Sequence, residues 1–210
     1  EPEPEVRAEA IRALRFQALP EALSGSLISV AAENPDVLDL VDAVVKPNSL
    51  TRNRPALQDL EGWKKVLKDG KGDLDTGRRI FFHPRIALCS TCHRRNGRGT
   101  VLGPDLSVVA DRGDHDWLLN SILQPNRDVA PQFYPWELTM KNGDEFVGIV
   151  LRKGGRSGKE FYRDRTGKER GIVKDEITSR RELKTSLMPD GLLASLTIQE
   201  IRDLVAYLSQ

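Results

Sequence analysis

The 210 residues hold 32 Lys and Arg against 31 Asp and Glu, a formal net charge of +1, which argues against a strongly basic nucleic-acid surface. With 39% hydrophobic and 30% charged residues the chain has material for a core in one or two domains, yet no run approaches the roughly 20 apolar residues of a membrane span. The opening Glu1-Pro2-Glu3-Pro4-Glu5 lacks the pattern of a signal peptide and reads as mature sequence or as a portion of a longer chain.

Residues 1 to about 62 read as a helical region. Val6, Ala10, Ala13, Leu14 and Gln17 share one helical face, with Arg7, Arg12 and Arg15 turned elsewhere. A second helix is expected over residues 19 to 32. Asn34-Pro35 then offers a cap and a first-turn proline for a third, in which Val37, Leu38, Val41 and Val44 or Val45 are apolar. The segment Pro4-Glu5-Val6-Arg7-Ala8-Glu9-Ala10 is similar to the last helix pair of a HEAT-type array, a resemblance that implies neighbouring repeats. The other reading is a helical collar packed directly on the remainder of the chain.

From residue 63 the chain changes character. A helix beginning near Asp73 places Leu74, Gly77, Ile80 and Phe81 on one face. After it come the only two cysteines of the chain, in Cys89-Ser90-Thr91-Cys92-His93. This is the attachment sequence of a c-type haem: two thiols three positions apart reach the two vinyl groups on one haem edge, and the adjoining imidazole arrives under the iron. A structural zinc site usually needs four protein ligands, and only His83, His93 and His115 accompany the two cysteines. A thioredoxin-like redox pair calls for a strand-helix-strand setting, whereas residues 93 to 99 read as a loop.

Further on, Gly103-Pro104-Asp105-Leu106 forms a loop signal, Arg112 follows, and residues 117 to 125 (Trp-Leu-Leu-Asn-Ser-Ile-Leu-Gln-Pro) pattern as a helix. Residues 131 to 184 then read as an antiparallel insertion of four or five short strands. They run from Trp136 to Met140, Glu145 to Leu151, Glu160 to Arg163 and Gly171 to Val173, with turns at Asn142-Gly143 and Thr166-Gly167. The basic stretches 153–156 and 163–170 read as solvated turns. Candidates for a second iron ligand are Met140, which reads as strand packing, and Met188, His83 and His115. Met188 lies in Ser186-Leu187-Met188-Pro189-Asp190-Gly191, a loop from which a thioether projects into a crevice or fills a core gap. In the last helix, expected over residues 197 to 209, Thr197 and Glu200 fit a capping box. Ile198, Ile201, Leu204, Val205 and Leu208 recur on one face, and Leu204 and Tyr207 are placed to cross Gly77.

In this order the motifs resemble a small monohaem class I cytochrome c. With the strand insertion and Ser186-Leu187-Met188-Pro189 added, residues 63–210 resemble the planctomycete and verrucomicrobial type of haem-binding cytochrome c domain. The resemblance implies a mainly α fold, with a class I cytochrome c helical core and a small antiparallel β insertion. It implies haem c on Cys89 and Cys92, with His93 and Met188 on the iron. It further implies that the Pro104 carbonyl accepts a hydrogen bond from His93, and that Arg112 and Trp117 lie near a propionate. The domain would carry electrons without transforming a substrate. Its partner would be a redox protein or a fused dehydrogenase domain, and its location periplasmic or otherwise exported, where haem is attached. A haem enzyme or small-ligand sensor with an open or displaceable distal site is the alternative, and a structural interaction module a third. Two departures stand out: the connection Phe82 to Leu88 is longer than usual, leaving the role of His83 open, and the stretch from His93 to Met188 is much longer than a minimal cytochrome needs.

Overall fold

The computed structural model describes residues 3–47, 50, 54–154 and 158–210. Arg156 of the basic stretch and the first two residues of the opening lie outside the described residues. Three helices come first: α1 (Pro4–Ala13), α2 (Glu21–Glu33) and α3 (Leu38–Val45), the last entered through a 3-10 turn at Pro35–Val37. They share a small core of Ile11, Leu27, Ala31, Val37, Leu40 and Val41.

The face expected for the first helix is not the one that packs. Val6 is 59% exposed, while Arg12 and Arg15 are buried at 3% and 2%. The reason is electrostatic. Glu200, 1% exposed, accepts from Arg12 Nε at 2.7 Å and from Arg15 Nη1 at 2.8 Å, and Arg15 Nη1 also reaches the Ser195 carbonyl at 2.8 Å. Two charges drawn to one buried carboxylate override the apolar pattern that amphipathicity alone would choose.

The second unit begins with α4 (Leu60–Lys68) and α5 (Leu74–Phe81). Asp73 caps α5 by accepting from the Thr76 amide at 2.7 Å, and Gly77, Ile80 and Phe81 form its buried face. Across it lies α8 (Ile198–Leu208), which has the expected capping box between Thr197 and Glu200. The two backbones meet at Gly77, where an added Cβ would stand 2.0 Å from the Asp203 carbonyl oxygen and 2.7 Å from Tyr207 Cβ. The Asp73 amide donates to Asp203 Oδ1 at 2.8 Å, and the Phe81 and Tyr207 rings lie 5.9 Å apart. Ile80, Phe81, Ile201, Leu204 and Val205 close this core together with Trp63 of α4 and Leu119 of α7 (His115–Leu123). Each such side chain contributes about 1.5–3 kcal/mol on burial.

Between α5 and α7 lie the single turn α6 (Cys89–Cys92) and a two-residue hairpin, β1 (Arg94–Arg95) and β2 (Arg98–Gly99). The hairpin replaces the loop expected after Cys92. Its turn is Asn96-Gly97, both with positive φ at 49° and 77°, the type I′ geometry that this dipeptide favours.

The inserted sheet has five antiparallel strands: β3 (Pro135–Met140), β4 (Glu145–Arg152), β5 (Lys159–Asp164), β6 (Glu169–Val173) and β7 (Ile177–Glu182), in the order β6-β5-β4-β3-β7. β7 pairs with β3, Leu138 opposite Arg180. The alternation of its neighbours gives β7 away only in space, because Ile177–Glu182 is largely exposed and charged. Leu138 and Tyr162 are fully buried on one face. There the Tyr162 hydroxyl donates to Glu160 Oε2 at 2.6 Å, and Arg180 forks onto the same carboxylate. Helix accounts for 44% of the described structure and strand for 18%, so a substantial sheet is grafted onto a helical framework. Among the described residues no helix is long and apolar enough to cross a membrane.

Two measurements test this packing. Gly77→Ala should lower the unfolding free energy by at least about 2 kcal/mol, since the clash is with backbone, seen as a lower denaturant midpoint; an unchanged midpoint would mean the helices separate without loss. Glu200→Gln should cost about 3–5 kcal/mol by leaving buried guanidinium charge uncompensated. Burial pushes the Glu200 carboxyl up, but Arg15 and Arg12 outweigh it and hold it below the ordinary glutamate value. Its stabilisation is therefore complete above the ordinary pKa of about 4.3 and lost as pH falls through the lower folded value. The acid limb of stability should flatten in Glu200→Gln.

Candidate functional site

A largely apolar cavity of about 400 Å³ opens between the helical core and the sheet, within the size range of small-molecule and cofactor sites. Phe81, Leu204 and Leu208 form its back wall, Leu118 and Ile122 of α7 one side, and Ile149 of β4 contributes from the sheet. Cys89, Cys92, His93 and Met188 all line it. They arrive on separate segments: α6 delivers the thiols, the residue after α6 the imidazole, and the loop beyond the sheet the thioether.

The imidazole is held on both sides. His93 Nδ1 lies 2.9 Å from the Pro104 carbonyl oxygen, which fixes Nδ1 as the protonated nitrogen and leaves Nε2 with a free lone pair. Burial lowers the pKa of the ring, while the bond to Pro104 opposes the shift, so it is neutral and able to ligate. Gly103 lies against the ring face, where an added Cβ would stand 2.6 Å from His93 Cε1. The 102–106 loop is laid beside the motif by Gly103 N–H to the Cys92 carbonyl at 2.7 Å and Leu106 N–H to the Arg94 carbonyl at 2.8 Å.

The two cysteines are free. Burial pushes the Cys89 thiol up to about 12, the reverse of the depressed value that activates a disulfide-exchanging cysteine. Among the described residues no three His, Cys, Asp or Glu side chains gather as a metal site, which leaves the zinc alternative without further ligands. The donor set therefore fits haem c: two thiols, one neutral imidazole with Nε2 available, and a thioether, on the walls of one apolar cavity.

Arg112 and Trp117 also line the cavity. Both are exposed on their outer sides, and the Trp117 ring covers Gly113. Of the other candidates, Met140 ends β3 and does not line the cavity. His115 begins α7 with half its side chain in solvent. His83 Nδ1 accepts from the amides of Arg85 and Ile86 at 3.1 and 3.0 Å, and burial, with Arg12 and Arg85 nearby, lowers its pKa. A neutral His83 thus folds the long connection, which enters Cys89 through Ala87 and Leu88, both at positive φ.

Sequence reasoning missed Arg95. It is 3% exposed and donates to the carbonyls of Leu106 at 2.6 Å, Tyr207 at 2.9 Å and Gln210 at 3.2 Å, with its guanidinium 4.6 Å over the Tyr207 ring. It ties the Pro104 loop to the end of α8. No local signal separates it from the neighbouring surface arginines.

The family model for cytochrome c matches residues 74–146. The match runs from α5 through the cysteine motif and the Pro104 loop into the start of β4, and supports a cytochrome c domain with haem-based electron transfer as its usual chemistry. Met188 and α8 lie beyond it, although the fold returns both to the same cavity. A search of curated proteins gives no significant match.

Gly103→Ala should push the His93 ring away from Pro104 and lower the yield of low-spin haem protein about tenfold, read from absorption spectra of the purified protein. An unchanged spectrum and yield would show that the loop moves aside.

Proposed function

We propose that this protein is an electron carrier in which haem c is attached through Cys89 and Cys92, with His93 and Met188 as axial ligands. The observation that carries this reading is the convergence of those four side chains on one cavity, with the hydrogen bond from His93 to Pro104. Bound there, haem supplies one-electron redox chemistry at a potential that a His/Met pair raises. The protein's own part is to hold the imidazole as one tautomer, to keep water from an apolar pocket and to set Arg112 and Trp117 at its rim for the propionates. The domain transforms no substrate. Its partner is a redox protein or a dehydrogenase domain of the same chain, as the planctomycete-type resemblance implies, and thioether attachment of haem calls for an exported, periplasmic setting. The helices of residues 1 to about 62 serve as a collar on the cytochrome, held by the Glu200 cluster.

The test is the absorption spectrum of protein made with a c-type haem maturation system, for wild type and Met188→Ala. Expected are a covalent low-spin haem and a weak far-red band of sulfur-ligated ferric iron that disappears in the variant. Resistance of the ferrous wild type to carbon monoxide should accompany it. Absence of covalent haem would overturn the reading; a covalent haem without the band, binding carbon monoxide readily, would favour the enzyme or sensor.

A further inference from the structure

The loop carrying Met188 has few attachments of its own. Leu187, Met188 and Pro189 line the cavity, and within the loop the Met188 amide donates to Ser186 Oγ at 3.0 Å. Among the described residues, its side-chain hydrogen bonds to the rest of the molecule come from one residue outside the cavity lining. Asn126 Oδ1 accepts from the Ser186 amide at 2.7 Å, and Asn126 Nδ2 donates to Asp190 Oδ1 at 3.4 Å. The carboxamide thus holds the residues two before and two after Met188, and its orientation is unambiguous because one partner is a donor and the other a carboxylate.

Asn126 stands on a firm base. It follows the buried Pro125, in a turn closed by the Arg127 amide on the Gln124 carbonyl at 3.0 Å, directly after α7, whose Leu119 and Leu123 are almost fully buried. A short polar side chain on a rigid helix end therefore holds a loop that its own sequence leaves loose.

We propose that Asn126 is a positioning residue for Met188: by holding Ser186 and Asp190 it keeps the thioether in the cavity and sets how readily an external ligand displaces it. The inference rests on the reading of Met188 as an iron ligand. Displacement needs the loop to swing out, so weakening the clamp raises the population of the open state, and the apparent affinity of a competing ligand rises in proportion.

The measurement is imidazole titration of the ferric holoprotein, with the far-red sulfur band followed on heating, for wild type, Asn126→Ala, Asn126→Asp and Asn126→Asp combined with Asp190→Asn. Asn126→Ala loses both bonds and should bind imidazole about tenfold more tightly. Its sulfur band should vanish well below the temperature at which helical circular dichroism is lost, with covalent haem content unchanged. Asn126→Asp keeps an acceptor for Ser186 but sets two carboxylates together, and should also bind more tightly than wild type. The double substitution returns a donor at position 190 and should come back to within about twofold of wild type, a rescue that a loss of mere packing would not give. A wild-type band with unchanged imidazole affinity in Asn126→Ala, or no rescue in the double variant, overturns the clamp and leaves Met188 ligation standing. A wild type with no sulfur band overturns ligation itself, and the clamp with it.

Discussion

The approach of α5 to α8 at Gly77 is the constraint on which the rest depends. A missing Cβ lets one helix backbone settle against the other, and the crossing decides where Phe81, Leu204 and Leu208 stand as the back wall of the cavity. It also decides where α8 ends, and so where Arg95 finds the carbonyls of Tyr207 and Gln210. Through its third bond, to Leu106, Arg95 carries that position to the loop whose Pro104 carbonyl orients His93. A helix contact twelve residues before the cysteine motif thus governs the geometry of an imidazole. Packing sets the frame, and hydrogen bonds pass it on to the site.

The cluster of Glu200 with Arg12 and Arg15 works by a different physics. Removing three charges from water costs about as much as their attraction returns, so such a cluster is weak evidence of stability and better evidence of a specified arrangement. Glu200 also closes the capping box of α8 through the Thr197 amide at 2.8 Å. Nearby, Arg15 holds the Ser195 carbonyl, and Arg54 donates to those of Leu193 and Leu196. The segment just beyond the Met188 loop is therefore braced from the N-terminal side of the chain. An apolar contact would have permitted several rotations of α1; a guanidinium group on α1 and another just after it, both on one carboxylate, permit one.

Where a residue's place follows from its immediate neighbours, it was legible in the sequence. Cys89, Cys92 and His93, which meet on the cavity wall, are singled out by spacing, Asp73 and Thr197 by their place before a periodic run, and Asn142-Gly143 by the turn it prefers. Met188 needed its proline and glycine neighbours to read as a loop and the whole fold to enter the cavity. Arg12 and Arg15 could not be read correctly, because their partner lies about 190 residues away and helical periodicity counts arginine as surface. β7 escaped for a related reason: its residues are charged and exposed, and only the register with β3 makes them a strand. Asn96-Gly97 carried a hairpin signal, but its flanking residues are arginines rather than the alternating apolar residues that usually accompany it. Asn126 and Arg95 act through backbone groups brought near only by tertiary structure, and backbone groups carry no sequence signature.

The sheet owes its importance to what it touches. Ile149 of β4 lines the cavity. Arg163 of β5 donates to the Val101 carbonyl at 2.6 Å, and the turn at Gly167 lies so close to Thr100 that a Cβ there would come within 2.3 Å of its methyl group. Sheet and 100–101 loop are thus fastened to each other, and with Ile149 on the cavity lining the insertion is a wall of the site rather than an appendage. Its placement between the His93 and Met188 segments follows the same logic: a chain that must leave the imidazole and return to the thioether can spend the interval covering the opening between them. Under the proposed function that cover acts on the same quantity as the ligands do, since excluding water from the pocket disfavours the more highly charged ferric state, as a thioether ligand does. Burial by the sheet and ligation by Met188 are then two levers on one potential, carried by adjacent stretches of chain.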